Sequence, residues 1–402
     1  MTEALTQDIF QRATADQILL GIRKYCSVYD GSFAAWRMPH SDEVHAYINF
    51  SDDIILKKGY QLEELETGFI CAPFDKEGSS YLIKAEVKIN LKKKTLESSA
   101  VHYQKTENLL NYISQYINTK PKVDNIITGY NNVTEDGDSN RFKTLVKLAI
   151  DNIRKNSFQK VVPSRTKTIE LSKSFSSTDN FVKLCNSYQN AFISLIYSPK
   201  AGHWLGATPE VLIKTNNETK IFETVALAGT QRHNADLSLS DVAWRQKEIE
   251  EQAFVSRYII NCFKKIRLRE FEEIGPKTIK AGNLIHLKTT FTVDMESTNF
   301  PLLGSVMLEL LHPTSAVCGM PLDSSRHFLN EHEAYDRKLF SGFIGPVDNQ
   351  NETALFVNLR CMEIREKEAT LYAGAGITED SDPEKEWLET EMKMKTLLDI
   401  IR

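Results

Sequence analysis

At 402 residues with 41% hydrophobic content, the chain is long enough to bury one large core or two ordinary ones. A formal net charge of −5 with interspersed Lys and Glu argues against an electrostatic nucleic-acid binder, which would show a concentrated basic face. No window approaches the ~20 apolar residues that span a bilayer, and Met1-Thr2-Glu3-Ala4 lacks the basic start and apolar run of a secretory leader, so a cytoplasmic protein without a membrane partner is expected.

In chain order, Thr2 to about Tyr25 suits a helix, and Tyr81-Leu-Ile-Lys-Ala-Glu-Val-Lys-Ile-Asn90 alternates as an antiparallel strand does. Lys92, Lys93 and Lys94 read as a solvated turn. Between Asn118 and Asn140 the text turns to Pro, Asn, Gly and Asp, which is loop chemistry. A soft division near residue 135 follows, with a mixed N-terminal subdomain over 1–135 and a second region over 136–402.

Beyond it, a helix near Arg141 to Lys155 leads into Lys160-Val-Val-Pro-Ser, and the run from Val211 to Glu223 reads as a hairpin turning at Asn216-Asn217. Helical patterns from about Ser240 to Leu268 and from Glu384 to Ile401 complete an α/β (α+β) chain, with antiparallel strands and helices outside. The cysteines at 26, 71, 185, 262, 318 and 361 lie far apart without C-x-x-C spacing, so they read as buried small hydrophobes.

Two of these helices carry acids three apart: Glu248 and Glu251 in one, Glu386 and Glu389 in the other, with Lys393 four beyond Glu389. Such spacing commonly marks a solvated helix face. Two facing helices with two acids each would equally suit Mg²⁺, which takes oxygen ligands, keeps waters and completes its shell with an anionic substrate. Ahead of the second helix, Tyr372-Ala-Gly-Ala-Gly-Ile-Thr places closely spaced glycines where an anion could approach the backbone.

Read together, Lys160-Val-Val-Pro-Ser-Arg165, Gly206-Ala-Thr-Pro-Glu210, Ala226-Leu-Ala-Gly-Thr230, His312-Pro-Thr314, Ala373-Gly-Ala-Gly-Ile377 and the run from Ser381 to Thr390 resemble the chorismate-utilising enzymes in order and spacing. The resemblance covers roughly Phe158 to the C-terminus. It implies one large anthranilate/aminodeoxychorismate synthase-like fold, with antiparallel sheets packed between helices and a deep central active site. It also implies direct Mg²⁺ ligation by Glu251 and Glu389, with Glu248 and Glu386 behind them through water, and chorismate as the small-molecule substrate.

By the same resemblance, Lys160 activates water and Glu210 protonates a leaving hydroxyl, which requires desolvation and neighbouring charge to bring their proton affinities together. Arg360 matches the arginine that holds the enolpyruvyl carboxylate, a task suited to its fork. Gly229 and Thr230 resemble donors to the ring carboxylate, Gly374 a backbone contact to the enolpyruvyl arm, and Lys393 a further substrate-side cation. His286 and His312 read as structural hydrogen-bonding histidines.

Within the family, the covalent-lysine mechanism needs a lysine where this chain has Ala228. Aminating members tend to carry glutamine at the position of Lys160. Phe340 and Val317 stand where other branches often have tyrosine and threonine. The resemblance therefore implies an isochorismate synthase, a monomer without an obligate amidotransferase. Salicylate synthase and an ammonia-dependent synthase component remain as alternatives. Its product would feed menaquinone, a catecholate siderophore or salicylate.

Overall fold

The computed structural model describes residues 2–118, 131–132, 137–232, 238–281 and 284–401. The division expected near residue 135 lies outside these residues. Among them, every named strand pairing is antiparallel, as the sequence suggested.

Two large sheets form the molecule. The first runs, strand beside strand, Thr95–Ser98, Val87–Asn90, Val44–Asn49, Ser32–Arg37, Phe192–Ser198, Gly202–Thr208, Cys361–Ile364, Glu368–Gly374, Ser164–Glu170 and Asn131–Asn132. The second runs Glu272–Ala281, Leu284–Asp294, Ile221–Arg232, Val211–Asn216, Glu352–Val357, Phe343–Val347, Gly68–Ala72, Ser80–Lys84 and Ile54–Leu56.

Period-two geometry sorts the side chains of Ser32–Arg37 into two cores. Ala34 and Trp36 join a cluster with Phe69, Phe192 and Phe356 between the sheets, while Phe33 and Ala35 face a cluster built with helices. Phe192 stacks on Phe356 across the gap at 4.0 Å between ring centroids. Because both faces are covered, the strand reads as a continuous apolar run rather than an alternation. Helices Gly137–Arg154, Gln246–Lys265, Leu303–Leu311 and Leu322–His332 supply the third core outside the second sheet.

Three expectations shift. The first helix is two, Thr2–Arg12 and Ala15–Val28, because Thr14 opens a new helix with a capping box: its side chain accepts from the Gln17 amide while the Gln17 side chain accepts from the Thr14 amide. The alternating run 81–90 is also two strands, and they belong to different sheets: Ile83 pairs with Phe69, whereas Val87 pairs with Ile48. At the corner, Glu86 accepts the Phe50 amide at 2.7 Å, so the chain bends without orphaning that group. The third helix begins at Gln246 rather than near Ser240, where Glu248 accepts the Arg245 amide at 3.1 Å.

The six cysteines are free and buried, and Lys92–Lys94 sit on an exposed turn. The hairpin lies where expected, with Asn216 opposite Ile221. No described helix is long and apolar enough to cross a membrane.

Candidate active site

Backbone pairing brings the distant motifs together. Lys160–Val161 forms a short ladder with Gly319–Met320, Val161 bridges to Ile377, and the Ala375 amide donates to Pro163 O at 3.1 Å. Arg337 fixes this junction. Its guanidinium donates to Val317 O at 2.9 Å and Val162 O at 2.7 Å and forms a bidentate pair with Glu333, whose carboxylate also accepts from the Ser164 amide.

The C-terminal helix, Pro383–Ile401, is docked beside the junction by Arg165. That guanidinium lies 3.7 Å from the Trp387 ring centre and donates to Thr390. The helix thereby brings Lys393 to Gly374 O, 2.8 Å away.

A cavity of about 70 Å³ opens at this convergence. Glu210, Gly229, Thr230, Glu251, Val317, Phe340, Arg360, Gly374 and Lys393 all line it. Lys160 sits behind that lining with no exposed surface, its Nζ 3.2 Å from Glu251 Oε1. The contact is an ion pair only: Nζ makes no hydrogen bond of ordinary geometry. Glu248, Glu386 and Glu389 lie off the lining, the first two in the opening turns of their helices and Glu389 one turn further along the second.

Burial dominates the electrostatics. Glu210 is pushed up to about 7 by desolvation, against the opposing pull of Lys160, Lys393 and Arg360. Arg360 is pushed down to about 10 by the same burial, while Glu389 and Glu210 draw it back up. Glu251 behaves oppositely: burial would raise it, but Lys160, Lys247 and Lys393 together hold it below the usual carboxylate range.

His286 is the hydrogen-bonding histidine expected, and it also lines the cavity. Its Nδ1 lies 2.9 Å from Gly229 O, and burial followed by the Arg360 charge drives it down to about 3, so the ring is neutral. With Nδ1 donating to that carbonyl, Nε2 presents a lone pair to the Arg360 guanidinium, 3.3 Å away. The histidine thus aims the arginine. His312 is structural as expected, bonded to Pro73 O at 3.0 Å and outside the cavity lining.

Two glycines make room for acids. Gly229 has a φ of +71° at a strand irregularity, and a Cβ there would meet Glu248 Cβ at 3.1 Å. A Cβ on Gly376 would sit 2.5 Å from Glu251 Oε1 and 3.2 Å from Lys160 Cε. Gly376 belongs to the Ala373–Ile377 motif but was not singled out by sequence. A glycine repeating two residues after Gly374 was the available signal.

A hard divalent ion suits the carboxylate set in chemistry. Glu386 is 1% exposed, and its Oε2 is buried without a hydrogen-bond partner. No three acidic, histidine or cysteine side chains are gathered within coordinating reach among the described residues. Instead each acid has its own partner: Glu251 pairs with Lys160, Glu389 with Lys393 at 2.8 Å and Glu386 with Lys247, and Glu248 accepts the Arg245 amide.

The family profile described as chorismate binding enzyme matches residues 73–402. The chain belongs to that family. Its similarity to isochorismate synthase EntC of Escherichia coli (strain K12) is 32% identity over 204 residues, 50% of this chain and 51% of that protein. The chain spans about half the length of the curated relatives it matches. Among solved structures, DhbC from Bacillus anthracis, described as a putative 2,3-dihydroxybenzoate-specific isochorismate synthase, superposes with a TM-score of 0.72 at 20% identity, covering 99% of both chains. Anthranilate synthase component I from Streptococcus pneumoniae reaches 0.64 at 18% identity, covering 92% of this chain and 90% of that one. The fold is therefore shared by proteins named isochorismate synthase and anthranilate synthase component I, and fold alone does not choose a function.

Proposed function

We propose that the protein is an isochorismate synthase that interconverts chorismate and isochorismate with Mg²⁺. The observation that carries this reading is Glu210. It is a buried carboxyl lifted to about 7 inside the cavity, so that near neutral pH it can both hold and give up a proton.

Water adds at C2 of the ring as the C4 hydroxyl leaves, and the two ring double bonds shift together, from C1–C2 and C5–C6 to C1–C6 and C4–C5. The proton lost by the attacking water passes to Lys160. The proton held by Glu210 passes to the departing hydroxyl, which leaves as water. Arg360, oriented by His286, takes the enolpyruvyl carboxylate, and Gly229 and Thr230, at the strand irregularity, take the ring carboxylate. Glu248, Glu251, Glu386 and Glu389 would hold the Mg²⁺, which would supply positive charge for the ring carboxylate.

Several features favour this branch. Ala228 lines the cavity where a covalent mechanism would need a lysine. Val317 and Phe340 are 4% and 2% exposed on an apolar wall, which offers little to steer a subsequent pyruvate elimination. A monomer that works in the cytoplasm without an amidotransferase completes the reading.

The deciding experiment incubates purified protein with chorismate and Mg²⁺, with and without EDTA, and separates the products by chromatography. Isochorismate without pyruvate, formed only with metal, is the expected result. Salicylate with equimolar pyruvate would move the protein to the lyase branch, and unreacted chorismate that turns over only with ammonia would move it to the aminating one.

A further inference from the structure

Lys247 has no place in the chemistry just described, yet it sits where the acids converge. It is the second residue of its helix, where the helix dipole disfavours a cation. Its Nζ nevertheless reaches across to Glu386 on the C-terminal helix, and its charge also feels Glu389 and Glu251. Glu386 is 1% exposed and binds the ammonium through Oε1 alone, leaving Oε2 buried without a hydrogen bond of ordinary geometry. That half-satisfied carboxylate is an arrangement suited to a second, more highly charged occupant.

Of the three lysines that neutralise these acids, Lys160 and Lys393 already have substrate-side tasks. Lys247 does not line the cavity. We propose that Lys247 is a resident counter-ion, holding the charge position a divalent metal takes among Glu251, Glu386 and Glu389, and so setting how tightly the protein binds that metal before substrate arrives. Release of the Lys247 ammonium from Glu386 would open that carboxylate to a dication, and a cation held by Glu251 would leave Lys160 without its ion-pair partner. The inference rests on the Mg²⁺ reading above.

The test uses Mn²⁺ as the probe, without chorismate, at pH 8, with free ion counted by electron paramagnetic resonance. Wild type is compared with Lys247→Gln, which keeps a donor for Glu386, Lys247→Met, which keeps only the length, and Lys247→Arg, which keeps the charge. Gln and Met should bind Mn²⁺ at least about tenfold more tightly, since a unit charge a few ångströms from a dication in a partly buried site is worth that order, and Arg should stay near wild type. Unchanged or weaker binding by the folded Gln and Met proteins overturns the proposal, because Lys247 would then be supporting the metal shell.

A second measurement needs no variant: acetylation of Lys247 in wild type, read by peptide mass, should accelerate severalfold when Mn²⁺ is added. No acceleration overturns the proposal equally. If no form of the protein binds Mn²⁺, the metal reading falls and this one with it. Equal binding by all four sinks the counter-ion role alone.

Discussion

Two walls of one cavity differ sharply. Glu210, Glu251, Arg360 and Lys393 bring ionisable groups into a single enclosure, while Val162, Ala316, Val317, Phe340 and Leu359 present only hydrocarbon. The difference teaches that the apolar wall does electrostatic work. By excluding water it lifts Glu210 and lowers Arg360, drawing the proton affinities of acid and cation towards each other. The charged wall, in turn, supplies the opposing charges that stop burial from neutralising everything: Glu251 stays ionised because Lys160, Lys247 and Lys393 hold its proton affinity down against the burial.

The comparison breaks most easily at its charged side. Lys160→Ala should lower kcat by about 10³-fold or more, the range expected for losing a proton-transfer group. It also leaves Glu251 buried without its nearest cation, so the melting temperature should fall too. Steady-state kinetics beside a thermal melt checks both. A loss under about tenfold would mean that the base lies elsewhere.

Glu210→Gln should cost about 10²–10³-fold in kcat, and pH sharpens the point. As a proton donor, Glu210 is competent below about 7, so the wild-type rate from chorismate should decline as pH rises through that value, and the variant should lose this limb. The linkage sign follows from the raised affinity: the folded protein binds this proton more tightly than the unfolded chain does. Its contribution to stability is therefore full below about 4.5 and is lost as pH rises through about 7. Melts between pH 5 and 8 should fall less steeply in Glu210→Gln than in wild type.

Gly376→Ala tests the seam between acid and base. The added methyl would displace the Glu251 carboxylate, and misplacement of about 1 Å at such a site lowers kcat by ~10-fold to 10²-fold. Overpacking should lower stability by about 1–3 kcal/mol. Mn²⁺ titration beside the kinetics checks that Glu251 has moved. Wild-type metal binding together with a wild-type rate would show that the glycine is incidental.

Much of this was legible in the sequence because chemistry leaves local marks. The Lys160, Glu210, Gly229 and Gly374 motifs all meet at one junction, and the antiparallel class followed from short turns and alternation. What escaped depends on partners far along the chain. His286 reads as a core histidine until its position between Gly229 O and Arg360 is known. Gly376 is needed because of a carboxylate on another helix. Lys247 is hidden too, because acids three apart mark a helix face whereas the cation beside them gains its meaning only from Glu386 on another helix. The split of 81–90 between two sheets was equally hidden, since alternation carries no label for which sheet a strand joins.

The smallest effect should come from the apolar wall. Phe340 stacks against Tyr372 at 5.3 Å, and both Phe340 and Val317 are nearly fully buried. Val317→Thr with Phe340→Tyr adds two hydroxyls to hydrocarbon, each costing about 1–3 kcal/mol of stability if it finds no partner. The shape of the wall and all charged groups stay in place, so isochorismate formation should change by less than about fivefold, which corresponds to ~1 kcal/mol in the barrier. Pyruvate should remain a minor product, because neither hydroxyl brings a charge or a base to the ring. Chromatography of isochorismate, salicylate and pyruvate from the double variant decides it. Equimolar pyruvate would instead show that two apolar side chains alone keep the chemistry at the hydroxyl transfer, and the passive wall would have become the part of the site that chooses the reaction.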